Sequence, residues 1–580
     1  MLDKINIFSK WLMANKWRLF LLGGLLGLIV FAFFYGLDVC NPWYTGWIWH
    51  NAQHDTAQHQ LGWEFYRQAK TASPIMDNVA YPFGLSIVFM DMIPLVAIPF
   101  RLLSPILGDG FQYFGLWGLA CYVLMGGLTA ILMAKIIRLS KQLSQLSSLV
   151  KLTIVITAAF MSILSSTLLA RSFYHPALAG QWIIILGFLA ILWSSKVSSW
   201  RRFGLAWAGL LMLAVLVHPY FLPMLGAMML IAAIWHPNKS IAKVVGSIIL
   251  PVVAAGVTFW LLGGFSLGGG TELYDLEDKG FNLLSFINPL GYSVIPGFAN
   301  KSTSMETMTW LGAGAICLWI LIIILLLKSW LIDKSFIHIS LSKQIKRQII
   351  FTSLVLIILI IFAISPRVDI GPITILSYSV PSGIYELWSA FRAAAREIWP
   401  VYYLFLIASV PLAAGLMGGI LKSKSWQASL VICLILGLAA SVQFVDLVKS
   451  PAGTNKRHNF KVAKTAPEDY PIINLGGKVI GKRYMVALDN NFRGDISGTY
   501  RLGRTAVSNH LAFGNGFYAR VPRQMANEQK SLVDKLTNDN YPAEKMTDYI
   551  FFTSDNKLAD KISRQYRLHY IDGWWFISTN

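Results

Sequence analysis

The sequence predicts an all-α polytopic membrane domain of about eleven transmembrane helices over residues 1–450, followed by a small α/β extracytoplasmic domain over 451–580. Three observations predict it. Only 13% of the 580 residues are charged, against about 25% in a soluble domain, so polar groups cannot cover the surface of the chain. Apolar runs such as Phe20–Phe34, Ile241–Leu262 and Leu311–Leu327 each approach the ~20 residues that cross a hydrocarbon core. Short basic clusters fall between those runs, as the positive-inside rule expects.

In chain order the spans fall near 19–37, 111–134, 152–170, 177–194, 203–220, 221–235, 241–262, 310–327, 348–365, 399–420 and 427–445. Their alternation puts the N-terminus in the cytoplasm and the C-terminal domain outside. Cytoplasmic segments then hold 20 basic residues, in clusters such as Lys135–Lys151 and Lys328–Arg347, with only Asp3 and Asp333 acidic. Outer loops hold nine: Arg67, Lys70, Arg101, Arg171, Lys279, Lys301, Arg367, Arg392 and Arg396. The net charge of +20 therefore reports membrane orientation, and nucleic acid is rejected as a partner.

The first apolar run is not a cleaved signal peptide, because Asp38-Val39-Cys40-Asn41-Pro42 is no small-x-small site. Cys121, Cys317 and Cys433 lie inside apolar runs and Cys40 just past one. No CxxC or metal-ligand spacing exists, so neither a disulfide framework nor a cysteine metal site is expected. Leu85–Leu103 is apolar enough to span but contains Asp91, Pro94 and Pro99. Counting it as a span would move Lys135–Lys151 outside, so it reads as a re-entrant or interface helix, with an ordinary span as the alternative.

The outer loops 38–110, 263–309 and 366–398 are long, and long loops carry function more often than short ones. The tail turns polar. Tyr484–Leu488, Tyr549–Thr553 and Leu568–Ile577 read as strands, the last a hairpin at Asp572-Gly573. Gln524–Leu536 and Asn556–Tyr566 read as helices, the second capped by Ser554 or Asp555.

Chemistry concentrates in the first outer loop. Asp55 and His59 are four apart and would share a helix face, where a carboxylate beside a histidine can act as a general base on a hydroxyl. Trp43, Tyr44, Trp47, Trp49, Trp63 and Tyr66 surround them, as sugar stacking or simple interfacial anchoring would require. Asp91, a carboxylate in an apolar segment, is the second candidate, with a structural contact to Arg101 as its alternative. Arg392 and Arg396 are again four apart at the mouth of a span, which suits a phosphate or pyrophosphate on a lipid carrier, or an ion pair with Glu397. Arg171, His175 and His218 sit at outer ends of spans and could line the same cavity. No Walker, GxSxG or HExxH motif is present, and no matched pair of broken helices marks a transporter repeat.

Several segments carry a resemblance: Asp55–Arg67, Tyr81–Leu95, Phe111–Gly115, Arg171–Gln181, His218-Pro219-Tyr220, Asn282–Gly291 and Arg392–Tyr403. In this order, over about residues 38–446, the chain resembles an uncharacterised family of bacterial membrane proteins assigned to the GT-C superfamily of multi-spanning glycosyltransferases. It departs at Ala394-Ala395-Arg396, where the family has Ser-Gly-Arg, and at Trp310, where the family has tyrosine; Glu306 is retained. The resemblance implies transfer of a sugar from a polyprenyl-phosphate carrier to a cell-envelope glycan or glycoprotein, on the outer face of the bacterial cytoplasmic membrane. It places the catalytic acid residue in the first outer loop, at Asp55 with Asp91 as the rival. Substrate binding then falls to His59, Arg392, Arg396, Arg171, His175, His218 and Glu306. The expected partners are the lipid-linked donor, a glycan or protein acceptor and membrane lipids. No cofactor is expected, and a divalent metal stays open. The alternatives are a flippase of a lipid-linked sugar and a structural subunit of an envelope assembly.

Overall fold

The computed structural model describes every residue except 1, 51–53, 239, 267–276, 303, 332–342, 392, 422–424, 466, 490–495, 515–523, 539–540, 542–545 and 578–580. Among the described residues, ten helices are long and apolar enough to cross a membrane: Lys16–Tyr35, Phe114–Leu139, Ser148–Arg171, Pro176–Ser194, Trp200–Val217, Lys243–Leu261, Ala313–Leu331, Lys343–Ile364, Ala394–Ile420 and Trp426–Lys449. The expected span at 221–235 is a helix of 15 residues, Phe221–Trp235, rising about 22 Å and separated by a break from Trp200–Val217. Pro219 sets that break, because the residue before a proline is driven out of the helical region, and His218 is extended with φ −165°.

Leu85–Leu103 forms no single helix of spanning length. A two-residue strand and a 3-10 turn lead to Asp91 and Ile93, both left-handed at φ 52° and 58°, and only then to the ten-residue helix Pro94–Leu103. Ten residues rise about 15 Å, half the core thickness. The left-handed pair folds the segment back and points the Asp91 carboxylate inward among histidines.

Burial separates the centre of the bundle from its rim. The window of Ser148–Arg171 is 83% buried and that of Lys343–Ile364 only 11%. A helix apolar all round with so much bare surface requires lipid as its solvent. Ser147, Ser165, Ser199 and Ser425 cap helix N-termini by accepting backbone N–H groups that water would otherwise satisfy, each worth about 0.5–2 kcal/mol. Lys16–Tyr35 packs on Phe114–Leu139 through glycines: a Cβ on Gly23 would stand 2.3 Å from the Gly126 carbonyl oxygen. Small residues at such crossings let two backbones touch, which is how spanning helices associate without a hydrophobic driving force.

The tail forms a five-stranded sheet in the order Ala512–Phe513, Tyr484–Ala487, Tyr549–Thr553, Trp574–Ile577 and Leu568–Ile571. The first three strands run parallel and the last two form the expected antiparallel hairpin. Asp572 and Gly573 both take positive φ, the signature of a two-residue type I′ turn. Asp555 caps Asn556–Ile562 by accepting from the Lys557 and Leu558 amides. The edge strand is covered rather than bare: Tyr81 N–H donates to the Phe513 carbonyl at 3.2 Å, and Phe513 N–H to that of Asn78 at 2.8 Å. Helix Ile496–Ser508 lies on helix His54–Gln68, with Gly503 against Leu61 and Gln68 donating to the Val507 carbonyl at 3.1 Å. The tail thereby holds the helix that carries Asp55 and His59.

Candidate functional site

Asp55 occupies the first turn of His54–Gln68, where unsatisfied amides favour a carboxylate. Thr56 next to it donates to the Phe173 carbonyl at 2.6 Å, tying the helix start to the turn after Arg171. Burial pushes the Asp55 carboxyl up to about 7; the nearby Asp91 and Glu306 charges add to the rise, while Arg171 and Arg396 oppose it. Tyr500 of the tail, fully buried, shares this electrostatic neighbourhood.

Asp91 is ringed by imidazoles from three separate segments. His218 Nε2 lies 3.2 Å from Oδ1, while His175 Nε2 and His59 Nε2 lie 3.7 and 3.9 Å from Oδ2. The Tyr220 amide donates to His218 Nδ1 at 3.1 Å, so the His218 proton sits on Nε2 and points at Asp91. Burial pushes Asp91 up, but the histidines outweigh it and hold the carboxyl well below the usual range. Burial keeps His59 and His175 neutral, His59 being pushed down to about 4.

A second cluster lies beside it. Glu306 takes a bidentate contact from Arg396, with Nε to Oε2 at 2.6 Å and a terminal nitrogen to Oε1 at 2.7 Å, and a third from Arg171 at 2.8 Å. Burial alone would raise Glu306, but the two guanidinium groups hold it well below the ordinary carboxylate range. The Arg396 guanidinium also stacks over the Tyr220 ring at 4.6 Å, and the Tyr220 hydroxyl accepts the Ala393 amide at 3.1 Å. Tyr220 therefore orients both clusters.

Most of the residues singled out in the sequence thus converge: Asp55, His59, Asp91, Arg171, His175, His218, Glu306 and Arg396. Four readings need correction. His59 shares its helix with Asp55, but its partner is Asp91, with Nε2 3.9 Å from the carboxylate. Asp91 has no contact with Arg101, which donates to the Ala69 carbonyl at 2.8 Å instead. The Arg392 reading lies outside the described residues. Arg396 finds its partner across the bundle in Glu306, while both Glu397 carboxyl oxygens are buried without a hydrogen-bond partner among the described residues. The aromatic set is largely packing: Trp47, Trp49, Trp63 and Tyr66 are fully buried, and Trp43 is exposed.

Two features escaped the sequence. Lys456, from helix Pro451–Val462, buries its ammonium and donates at 2.6 Å to the Leu169 and Ser172 carbonyls flanking Arg171. Burial, with Arg171 adding, pushes it down to about 7. In sequence it reads as one more juxtamembrane basic residue. Asp446, inside a span, accepts from Trp310 Nε1 at 2.9 Å and from the Ala313 amide at 3.0 Å, and so anchors the loop that carries Glu306. Trp310 supplies that donor where the resembled family has tyrosine.

Residues 24–448 match the family described as Domain of unknown function (DUF6311). No curated protein and no solved structure matches the chain.

Proposed function

Because the chain belongs to the DUF6311 family, whose description assigns no activity, we propose its function from the site: a GT-C type membrane glycosyltransferase that takes a sugar from a polyprenyl-phosphate carrier. The observation that carries the reading is the meeting of Asp55 with the Arg171–Glu306–Arg396 cluster, whose charges act on its carboxyl. A base poised near neutral pH stands beside two guanidinium groups, held by Glu306, whose charge would draw phosphate oxygens. In the transfer step an acceptor hydroxyl gives its proton to the Asp55 carboxylate and its oxygen attacks the anomeric carbon. The bond from that carbon to the carrier phosphate breaks, and the electron pair leaves with the phosphate oxygen. Arg396 and Arg171 stabilise the developing charge, and preorganised contacts of this kind usually supply much of an enzyme's rate enhancement. Between the tail and the outer loops lies a cleft of about 590 Å³ lined in part by Glu64, Arg67, Arg101, Asp109 and Arg504. A polar cleft of this kind suits a hydroxyl-rich acceptor.

The reading is tested on surface glycans and glycoproteins, by mass analysis with and without the gene. Loss of one sugar from an otherwise intact glycan is expected. Loss of the whole glycan would favour a flippase, and an unchanged glycan a structural subunit.

Orientation is tested separately. The 20-to-9 split of basic residues predicts that a C-terminal alkaline phosphatase fusion is active and one near Lys141 is not. The reverse pattern would put the pocket on the cytoplasmic face, away from any outer-leaflet donor.

A further inference from the structure

Three side chains from distant parts of the chain bring one ligand atom each close together. One ring nitrogen each of His59 and His175 and an Asp91 carboxylate oxygen all lie within 4.8 Å of one another, and each Nε2 is within 4 Å of Asp91 Oδ2. His59 comes from the helix His54–Gln68, Asp91 from the left-handed turn, and His175 from the turn before Pro176. The two histidine–carboxylate separations, 3.9 and 3.7 Å, are too long for hydrogen bonds. They are close to what a bound ion sets, since metal bonds of about 2.0–2.1 Å hold tetrahedral ligand atoms about 3.3–3.4 Å apart.

Hydrogen bonding leaves these groups wanting. Neither His59 Nε2 nor His175 Nε2 makes a hydrogen bond among the described residues, the nearest Asp91 oxygen standing 3.9 and 3.7 Å away. A shared proton network would have drawn the rings onto the carboxylate; here they stand off from it. His218 behaves differently. Its Nε2–H binds the other Asp91 oxygen at 3.2 Å, and its own Nδ1 is occupied by the Tyr220 amide. That is the task of a group that orients a metal-binding carboxylate from behind.

We propose that His59, His175 and Asp91 form a binding site for a divalent transition-metal ion, zinc by its ligand set, with His218 positioning the carboxylate. Two imidazoles and one carboxylate are a recognised zinc set that leaves a coordination position open for water or substrate. The site stands on this geometry alone; only its part in sugar transfer rests on the proposed function.

The test uses the full-length protein purified in detergent without chelator and dialysed against zinc. Elemental analysis is expected to give about one zinc per chain. Replacement by cobalt should produce the visible bands of a low-symmetry Co²⁺ centre. His59→Ala, His175→Ala and Asp91→Asn should each lose the metal and the bands, and Asp91→Asn keeps the side-chain shape so that folding is preserved. Asp55→Asn, which touches no ligand, should keep the metal. Zinc well below one equivalent in the repleted wild type, or cobalt bands that survive both His59→Ala and Asp91→Asn in folded protein, would overturn the site. A metal lost in these variants while the surface glycan is unchanged by gene deletion would keep the site and remove the glycosyltransferase reading.

Discussion

Asp55→Asn lowers sugar transfer by ~10²–10⁴-fold, the range a general base contributes, while the protein inserts and folds as before. Asparagine keeps the size and hydrogen bonding of the side chain and removes only the charge. The wild-type pH profile carries the same signature. With the carboxyl pushed up to about 7 by burial and by Asp91, the ionised base is lost as pH falls through 7, and kcat/KM falls with it. The variant keeps a residual rate without that limb. Stability moves oppositely: a raised carboxyl stabilises the folded state at low pH, and that contribution is lost as pH rises from the ordinary carboxylate range through about 7. Wild type therefore loses thermal stability over this window relative to Asp55→Asn. A donor-to-acceptor assay and a melting series from pH 4 to 8 check both. Near-wild-type transfer in Asp55→Asn together with abolished transfer in Asp91→Asn would move the chemistry to the histidine-ringed carboxylate.

Arg396→Ala costs ~10²–10³-fold in kcat/KM for the lipid-phosphate donor, the usual loss when one donor to a developing anion is removed. The KM of the acceptor changes little. Arg396→Lys recovers part of the rate, because an ammonium supplies charge but not the fork that Nε and a terminal nitrogen place on Glu306 at 2.6 and 2.7 Å. The same contacts predict a folding cost. Breaking a buried charge pair costs about 3–5 kcal/mol, lessened here because Arg171 still holds Glu306 at 2.8 Å. Equal donor kinetics in the alanine, lysine and wild-type forms would reduce Arg396 to an anchor for Glu306.

The segments that do chemistry were legible because membrane chains leave few places for polar groups. A carboxylate in an apolar run, as at Asp91, or an arginine or histidine at the end of a span, as at Arg171 and His218, stands out against its surroundings. Pairings were not legible. Sequence neighbours at i and i+4 suggested Asp55 with His59 and Arg392 with Arg396. The observed partners are His59 with Asp91 and Arg396 with Glu306, 32 and 90 positions apart. The aromatic residues around Asp55 were misread for a related reason: Trp and Tyr serve interfaces, stacking and core alike, and only packing shows that Trp47 and Trp63 are buried.

By itself the sequence determined the membrane class, the approximate spans, the break at Leu85–Leu103 and the strands and hairpin of the tail. Each of these follows from local quantities: run length, charge placement, turn residues and periodicity. Tertiary structure alone decided that the tail clamps the helix of Asp55 and that three histidines surround one carboxylate. The physical reason is that a site of this kind has no period and no spacing. His59, Asp91, His175 and His218 are brought together by helix ends packed on a common centre, and the distances between them exist only once the chain is folded.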